Sequence, residues 1–180
     1  MNIFLSNTIN KIDTKGRVSI PSQFRSVLEN QGFAGVYLYP SFTTQSIDGG
    51  GESLINQIAK SIEKMQLFAE ETDALATALF SETYQLNYDQ DGRVSLPGSL
   101  MKHAGLKDKV TFAGIGQKFQ MWEPSAFESF KADARIKALQ NRDLIRARKV
   151  CEIGLGYHPD HVDGRFILAM IELEIGNERE

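Results

Sequence analysis

One cysteine in 180 residues, Cys151, rules out an intramolecular disulfide framework. It falls in a helical pattern, where a lone thiol reads as a small buried side chain rather than a reactive one. Histidine is almost as scarce. His103, His158 and His161 are the whole set, and no Gly-x-Ser-x-Gly elbow or other nucleophile motif accompanies them, so no enzyme is expected. His158-Pro159-Asp160-His161 with Asp163 comes nearest to a metal cluster, but a proline interrupts it and no second ligand pair follows. It reads as a helix-capping loop, and no metal, cofactor or small-molecule ligand is expected. No apolar run approaches the roughly 20 residues needed to span a bilayer. Met1 to Asn10 lacks the basic stretch and apolar core of a leader. The chain is expected to stay in the cytoplasm, with no membrane partner.

An excess of positive charge is missing too. The net charge of −3 argues against a uniformly basic footprint of the kind nucleic-acid binders present. The distribution says more than the sum. Residues 1–47 carry a net +2, residues 48–91 a net −7, residues 92–130 a net +2, residues 131–151 a net +5 and residues 152–180 a net −5. Screening confines each patch to within about 10 Å at ordinary salt, so a segregated field can steer a polyanion to one face despite the overall sign. With 42% hydrophobic and 24% charged residues, the chain has the make-up of one ordinary domain with an appendage.

What the sequence does contain is a duplication. Asp13-Thr14-Lys15-Gly16-Arg17-Val18-Ser19-Ile20-Pro21 returns 76 positions later as Asp89-Gln90-Asp91-Gly92-Arg93-Val94-Ser95-Leu96-Pro97. A fixed-period repeat implies one structural unit copied, the two copies completing one another. The match extends outward: Phe4 aligns with Phe80, Phe24 with Leu100, and Val36-Tyr37-Leu38 with Val110-Thr111-Phe112 after a slip of two. Gly16 and Gly92 stand where a tight turn wants positive φ, and Asp13 and Asp89 can cap that turn through a carboxylate. Beyond it, Val18/Ile20 and Val94/Leu96 alternate with Arg17/Ser19 and Arg93/Ser95, which predicts a short strand with the arginines on the face away from the core. Pro21 and Pro97 end the strand and open a helix.

These two units, each with hydrophobic-Ser-hydrophobic-Pro after the Gly-Arg pair, resemble the MraZ family of bacterial transcriptional regulators. Gly114-Ile115-Gly116 and Phe119-Gln120-Met121-Trp122-Glu123-Pro124 are similar to that family's second half. The resemblance covers roughly residues 1–140, and two correctly spaced copies make it specific. It implies an α+β fold: a tandem swapped-hairpin, AbrB-like β-barrel pseudo-dimer with flanking helices and a helical C-terminal tail. The expected organisation is a first AbrB-like repeat at 1–47, a helical connector at 48–79, a second repeat at 80–130 and a helical extension at 131–180. It also implies a sequence-specific DNA-binding regulator, usually a repressor of the division and cell-wall operon containing its own gene. Such a protein meets promoter direct repeats on double-stranded DNA at the nucleoid as a ring-like homo-oligomer. The alternative is an AbrB-like antitoxin or protein-binding assembly scaffold without DNA specificity.

Arg17 and Arg93 are the leading DNA-binding candidates, since an arginine fork can address guanine O6/N7 or clamp a phosphate. Lys15, Lys11 and Arg25 support them, and Asp13, Gly16, Asp89 and Gly92 form the turns. Asp91 replaces Lys15 in the second copy, a charge reversal that makes the first copy the expected principal reader.

The remaining segments are plainer. Ser46-Ile47-Asp48-Gly49-Gly50-Gly51 lacks the Lys-Ser/Thr of a phosphate loop after its glycine run, which reads as a flexible surface loop before a helical pair. Gly114-Ile115-Gly116 reads as a hairpin turn. The strand around Phe119, Met121 and Trp122 is expected to offer apolar surface to a neighbouring subunit. Pro124 to Tyr157 reads as a basic helix, and Phe166, Ala169, Met170 and Leu173 recur at helical spacing up to Gly176-Asn177. The final stretch, from Tyr157 to Asn177, is similar to half of a tetratricopeptide repeat, too little to bury a core by itself. Acidic and outside the duplication, it is expected to be dispensable for DNA contact unless Phe166, Met170 and Leu173 close a core or a subunit surface.

Overall fold

A strand–strand–helix–strand–strand series occurs twice, as the duplication requires. The structure, a computed structural model, describes residues 3–65, 70–157 and 162–177 and forms two units, Met1–Phe127 and Glu128–Glu180. In the first unit, copy one supplies β1 (Asn7–Lys11), β2 (Arg17–Ser19), α1 (Ser22–Glu29), β3 (Gly35–Pro40) and β4 (Ile47–Gly50). A helical pair follows, α2 (Glu52–Glu63) and α3 (Glu70–Ser81). Copy two supplies β5 (Tyr84–Asn87), β6 (Arg93–Ser95), α4 (Gly98–His103), β7 (Lys109–Gly114) and β8 (Phe119–Trp122).

The fold is α+β with antiparallel sheets. Six strands lie in the order β1-β7-β8-β4-β3-β5, and β2 pairs with β6 as a separate two-stranded ribbon. Exchanging the copies reverses the six-strand order without changing it, so the sheet has a pseudo-twofold relation between β8 and β4. The strands are swapped: β1 of copy one lies on β7 of copy two, with Asn7 opposite Ala113 and Lys11 opposite Lys109. Correspondingly, β5 lies on β3, with Val36 opposite Leu86. Among the described residues no ladder joins β1 to β5, so the strand pairing does not close into the expected barrel; the ribbon stays separate.

Burial follows the alternation in the sequence. Val18 and Val94 face each other across the ribbon and are buried with Ile20 and Leu96, while Phe24, Leu28 and Leu100 bring one face of α1 and α4 into the same core. Pro21 and Pro97 sit at the N-caps of those helices, where a missing N–H leaves no helical bond unmade. Phe4, Phe24 and Phe119 meet with ring centroids 5.2–5.3 Å apart at the centre.

Two expectations are corrected here. The glycine run is no surface loop: Ile47–Gly50 is strand β4, wholly buried between β3 and β8. Glycine is required because the Phe119 ring and Leu38 lie directly over Gly49; a Cβ there would stand 2.5 Å from Phe119 Cζ. Neighbouring Asp48 is buried but paired, accepting from Lys118 Nζ at 2.5 Å and Gln120 Nε2 at 2.9 Å, while Trp122 Nε1 donates to Gln120 Oε1 at 3.1 Å. Phe119, Met121 and Trp122 are likewise buried within the protomer rather than offered to a neighbour, because β8 is a central strand covered on both sides. Gly114–Gly116 does turn the β7–β8 hairpin, with Gly116 at φ 86°.

The second unit holds most of α5 (Pro124–Tyr157) and all of α6 (Val162–Asn177). Glu123 caps the start of α5, its carboxylate accepting from Ala126 N at 2.9 Å. Arg148 Nε on α5 bonds Glu152 at 3.0 Å and Glu172 of α6 at 2.7 Å, which sets the mutual face of the two helices. Cys151 on that face is a free, half-buried thiol. The His158–His161 segment lies outside the described residues. None of the described helices is long and apolar enough to cross a membrane.

Candidate nucleic-acid interface

The two repeated turns meet at the ribbon, where antiparallel pairing sets Arg17 opposite Ser95 and Ser19 opposite Arg93. Each turn is built identically. Gly16 N donates to Asp13 O at 2.9 Å and Gly92 N to Asp89 O at 3.0 Å, with both glycines at positive φ, 74° and 69°. Asp13 Oδ1 accepts from Lys15 N at 2.8 Å and Arg17 N at 2.9 Å, and Asp89 Oδ1 accepts from Asp91 N and Arg93 N, both at 2.9 Å. The remaining carboxylate oxygen of each Asp then takes its own arginine. Asp13 Oδ2 lies 2.8 Å from Arg17 Nε and 2.7 Å from Nη2, and Asp89 Oδ2 lies 2.9 Å from Arg93 Nε.

One carboxylate thus shapes the loop and orients the guanidinium four residues on. Both arginine side chains remain 31% exposed. The sequence reading treated the aspartates as turn caps and missed their hold on the arginines; the signal was the Asp-to-Arg spacing of four in both copies. Donation from the Arg17 and Arg93 backbone N–H groups leads the causes that keep Asp13 and Asp89 below the ordinary carboxylate range.

The copies also lock one another. Leu96 N donates to Gly16 O at 2.9 Å and Ile20 N to Gly92 O at 3.2 Å, each bond crossing from one copy to the turn of the other. Side chains repeat the exchange unequally. Arg25 of α1 donates through Nη1 to Gly92 O at 3.3 Å and lies where a Cβ on Gly92 would be, whereas its counterpart Met101 on α4 rests its sulfur against the Gly16 turn.

The equivalence ends at the charges. Around the first turn Lys15 and Lys11 are exposed, and Lys109 stands directly across from Lys11. Around the second, the matching positions are Asp91, Asn87 and Gly35, and Asp91 Oδ2 binds Arg93 Nη2 at 2.5 Å. Arg93 is held by two carboxylates. Arg17 has one, with Asp89 a further 3.9 Å from its Nη1. Lys109 could not have been found from sequence, because its place beside Lys11 depends on the swap of strands between copies.

A transcriptional regulator MraZ of Pelagibacter ubique (strain HTCC1062) is 48% identical over 147 residues, which are 82% of this chain and 95% of that protein. One from Rickettsia bellii (strain OSU 85-389) is 44% identical over 81% of this chain and 98% of its own length. The chain belongs to the MraZ family. The family model described as "MraZ protein, putative antitoxin-like" matches residues 79–146, which span the second copy and the first part of α5. Both MraZ relatives are named as transcriptional regulators, and membership of this family makes the chain a non-enzymatic protein.

Proposed function

We propose that this chain is a sequence-specific DNA-binding regulator that reads promoter direct repeats with its first turn. On the family's pattern, it represses the division and cell-wall operon that contains its own gene. The observation that carries the reading is the pairing of a carboxylate-oriented arginine, Arg17, with exposed Lys11, Lys15 and Lys109 at one edge of the swapped sheet. An arginine whose Nε and Nη2 are already held presents a fixed guanidinium to a guanine edge, and the lysines supply phosphate contacts that set register. Arg93, doubly held, contributes less, and Arg25 supports from behind by fixing the second turn. The ribbon and the six-stranded sheet act together as the barrel-like body of two AbrB-like repeats, the first running through β4 to Gly50 rather than ending at 47 and the second at 80–130, joined by the helical connector and followed by the 131–180 extension.

One protomer offers few basic groups, so affinity comes from a ring-like homo-oligomer meeting several repeats at once, in the cytoplasm and at the nucleoid. The test is binding of the full chain to its own upstream region against scrambled DNA over a series of salt concentrations. Specific binding that weakens steeply with salt supports the reading. A second reading, an antitoxin or scaffold that binds protein, draws on the antitoxin-like description of the matching family model. It requires equal, weak affinity for both DNAs.

A further inference from the structure

The two repeated turns close with the same hydrogen bonds around different side chains. The main-chain N–H of the third residue donates to the aspartate that opens the turn, Lys15 N to Asp13 Oδ1 at 2.8 Å and Asp91 N to Asp89 Oδ1 at 2.9 Å. Because the backbone makes that bond, a lysine and an aspartate serve the turn equally well. Neither side chain belongs to the core: Lys15 is exposed, and the Asp91 side chain is 66% exposed. The first copy thus shows that a lysine fits where the second carries Asp91.

What the Asp91 carboxylate touches is Arg93. Its Oδ2 lies 2.5 Å from Arg93 Nη2, while Asp89 Oδ2 lies 2.9 Å from Arg93 Nε, so two carboxylates hold one guanidinium. An exposed ion pair adds little stability, and this one repeats a hold that Asp89 already supplies. Its effect falls instead on what the arginine can meet. A guanidinium addresses guanine or phosphate by donating from its planar fork, and a carboxylate seated on Nη2 occupies part of that fork. The added negative charge also repels phosphate: residues 13–17 are net +1, whereas residues 89–93 are net −1. Replacing Asp91 alone by lysine would make the two turns equal in charge.

We propose that Asp91 silences a second DNA-reading turn, leaving the chain only one of two pseudo-equivalent approaches to DNA. The body itself allows both. Exchanging the copies preserves the strand order of the sheet, and each turn is braced by a main-chain bond from the other copy, Leu96 N to Gly16 O and Ile20 N to Gly92 O. A pseudo-twofold body with two active turns would bind a site in either direction; with one turn silenced it binds in one. Asp91 is therefore a specificity-determining residue, acting by its charge and through Arg93. This assignment rests on the first-turn reading proposed above.

The test measures full-length chains on the upstream region and on scrambled DNA at matched salt, with denaturant unfolding to show that each chain is folded. Arg17→Ala removes the first reader. Adding Asp91→Lys to that chain should recover specific affinity by on the order of fivefold or more, and adding Arg93→Ala as well should abolish the recovery. Gln90→Lys in place of Asp91→Lys adds a cation to the same exposed tip without freeing Arg93, and should restore no specificity. In the otherwise native chain, Asp91→Lys should steepen the salt dependence by about one phosphate contact and should enlarge the loss caused by Arg93→Ala. Loss at Arg17→Ala with no recovery by Asp91→Lys, or with equal recovery by Gln90→Lys, would overturn the silencing and leave the first turn as reader. An Arg93→Ala loss no larger beside Asp91→Lys than without it would do the same. Specific affinity unchanged by Arg17→Ala would overturn both readings.

Discussion

Asp13 and Asp89 each do two jobs, capping a turn through one oxygen and holding an arginine through the other. The backbone N–H bonds that lead these interactions lower both carboxyl pKa values. A folded value below the unfolded one gives stabilisation that is complete above the ordinary aspartate range, about 4, and is lost as pH falls through the lowered folded values. A carboxyl-carbon NMR titration should find both groups still ionised at the pH where an unperturbed aspartate is half protonated; ordinary midpoints would contradict the geometry. Arg25 carries a second expectation. Its bond to Gly92 O has no equivalent at Met101, so Arg25→Met should cost about 0.5–1.5 kcal/mol in denaturant unfolding. Amide exchange should quicken at Gly92 and not at Gly16. Unchanged exchange at Gly92 would mean that the clamp is idle.

The elements show what a sequence carries and what it hides. The turn, strand and helix start of each copy could be read from Gly, alternating Val-Ser-Ile and Pro because those signals are local. Pro124–Tyr157 could be read as one helix for the same reason. The exchange of β1 and β5 between copies, and with it the meeting of Lys11 and Lys109, comes from long-range pairing that no spacing records. Asp48–Gly51 was misread because glycines without side chains give no alternation; their place is dictated by the Phe119 ring from a strand 70 residues away. Gly49→Ala should therefore cost about 1–3 kcal/mol by displacing that ring from a packed aromatic centre. A thermal or denaturant unfolding curve unchanged by this substitution would show that β4 tolerates a side chain.

At the scale of the whole molecule, the duplication yields two copies with the same order of elements and different electrostatics. Lys11, Lys15 and Lys109 surround one turn, while Asn87, Asp91 and Gly35 stand at the matching positions of the other. A net charge of −3 is compatible with DNA binding on this account because the positive field is gathered at one turn and multiplied by assembly. The direct test is to compare Arg17→Ala and Arg93→Ala on the same promoter repeats, with affinities for specific and scrambled DNA measured at matched salt. Arg17→Ala should cost about 1–3 kcal/mol of specific binding and Arg93→Ala clearly less. Equal losses, or a larger loss at Arg93, would contradict the assignment of the first turn as the reader.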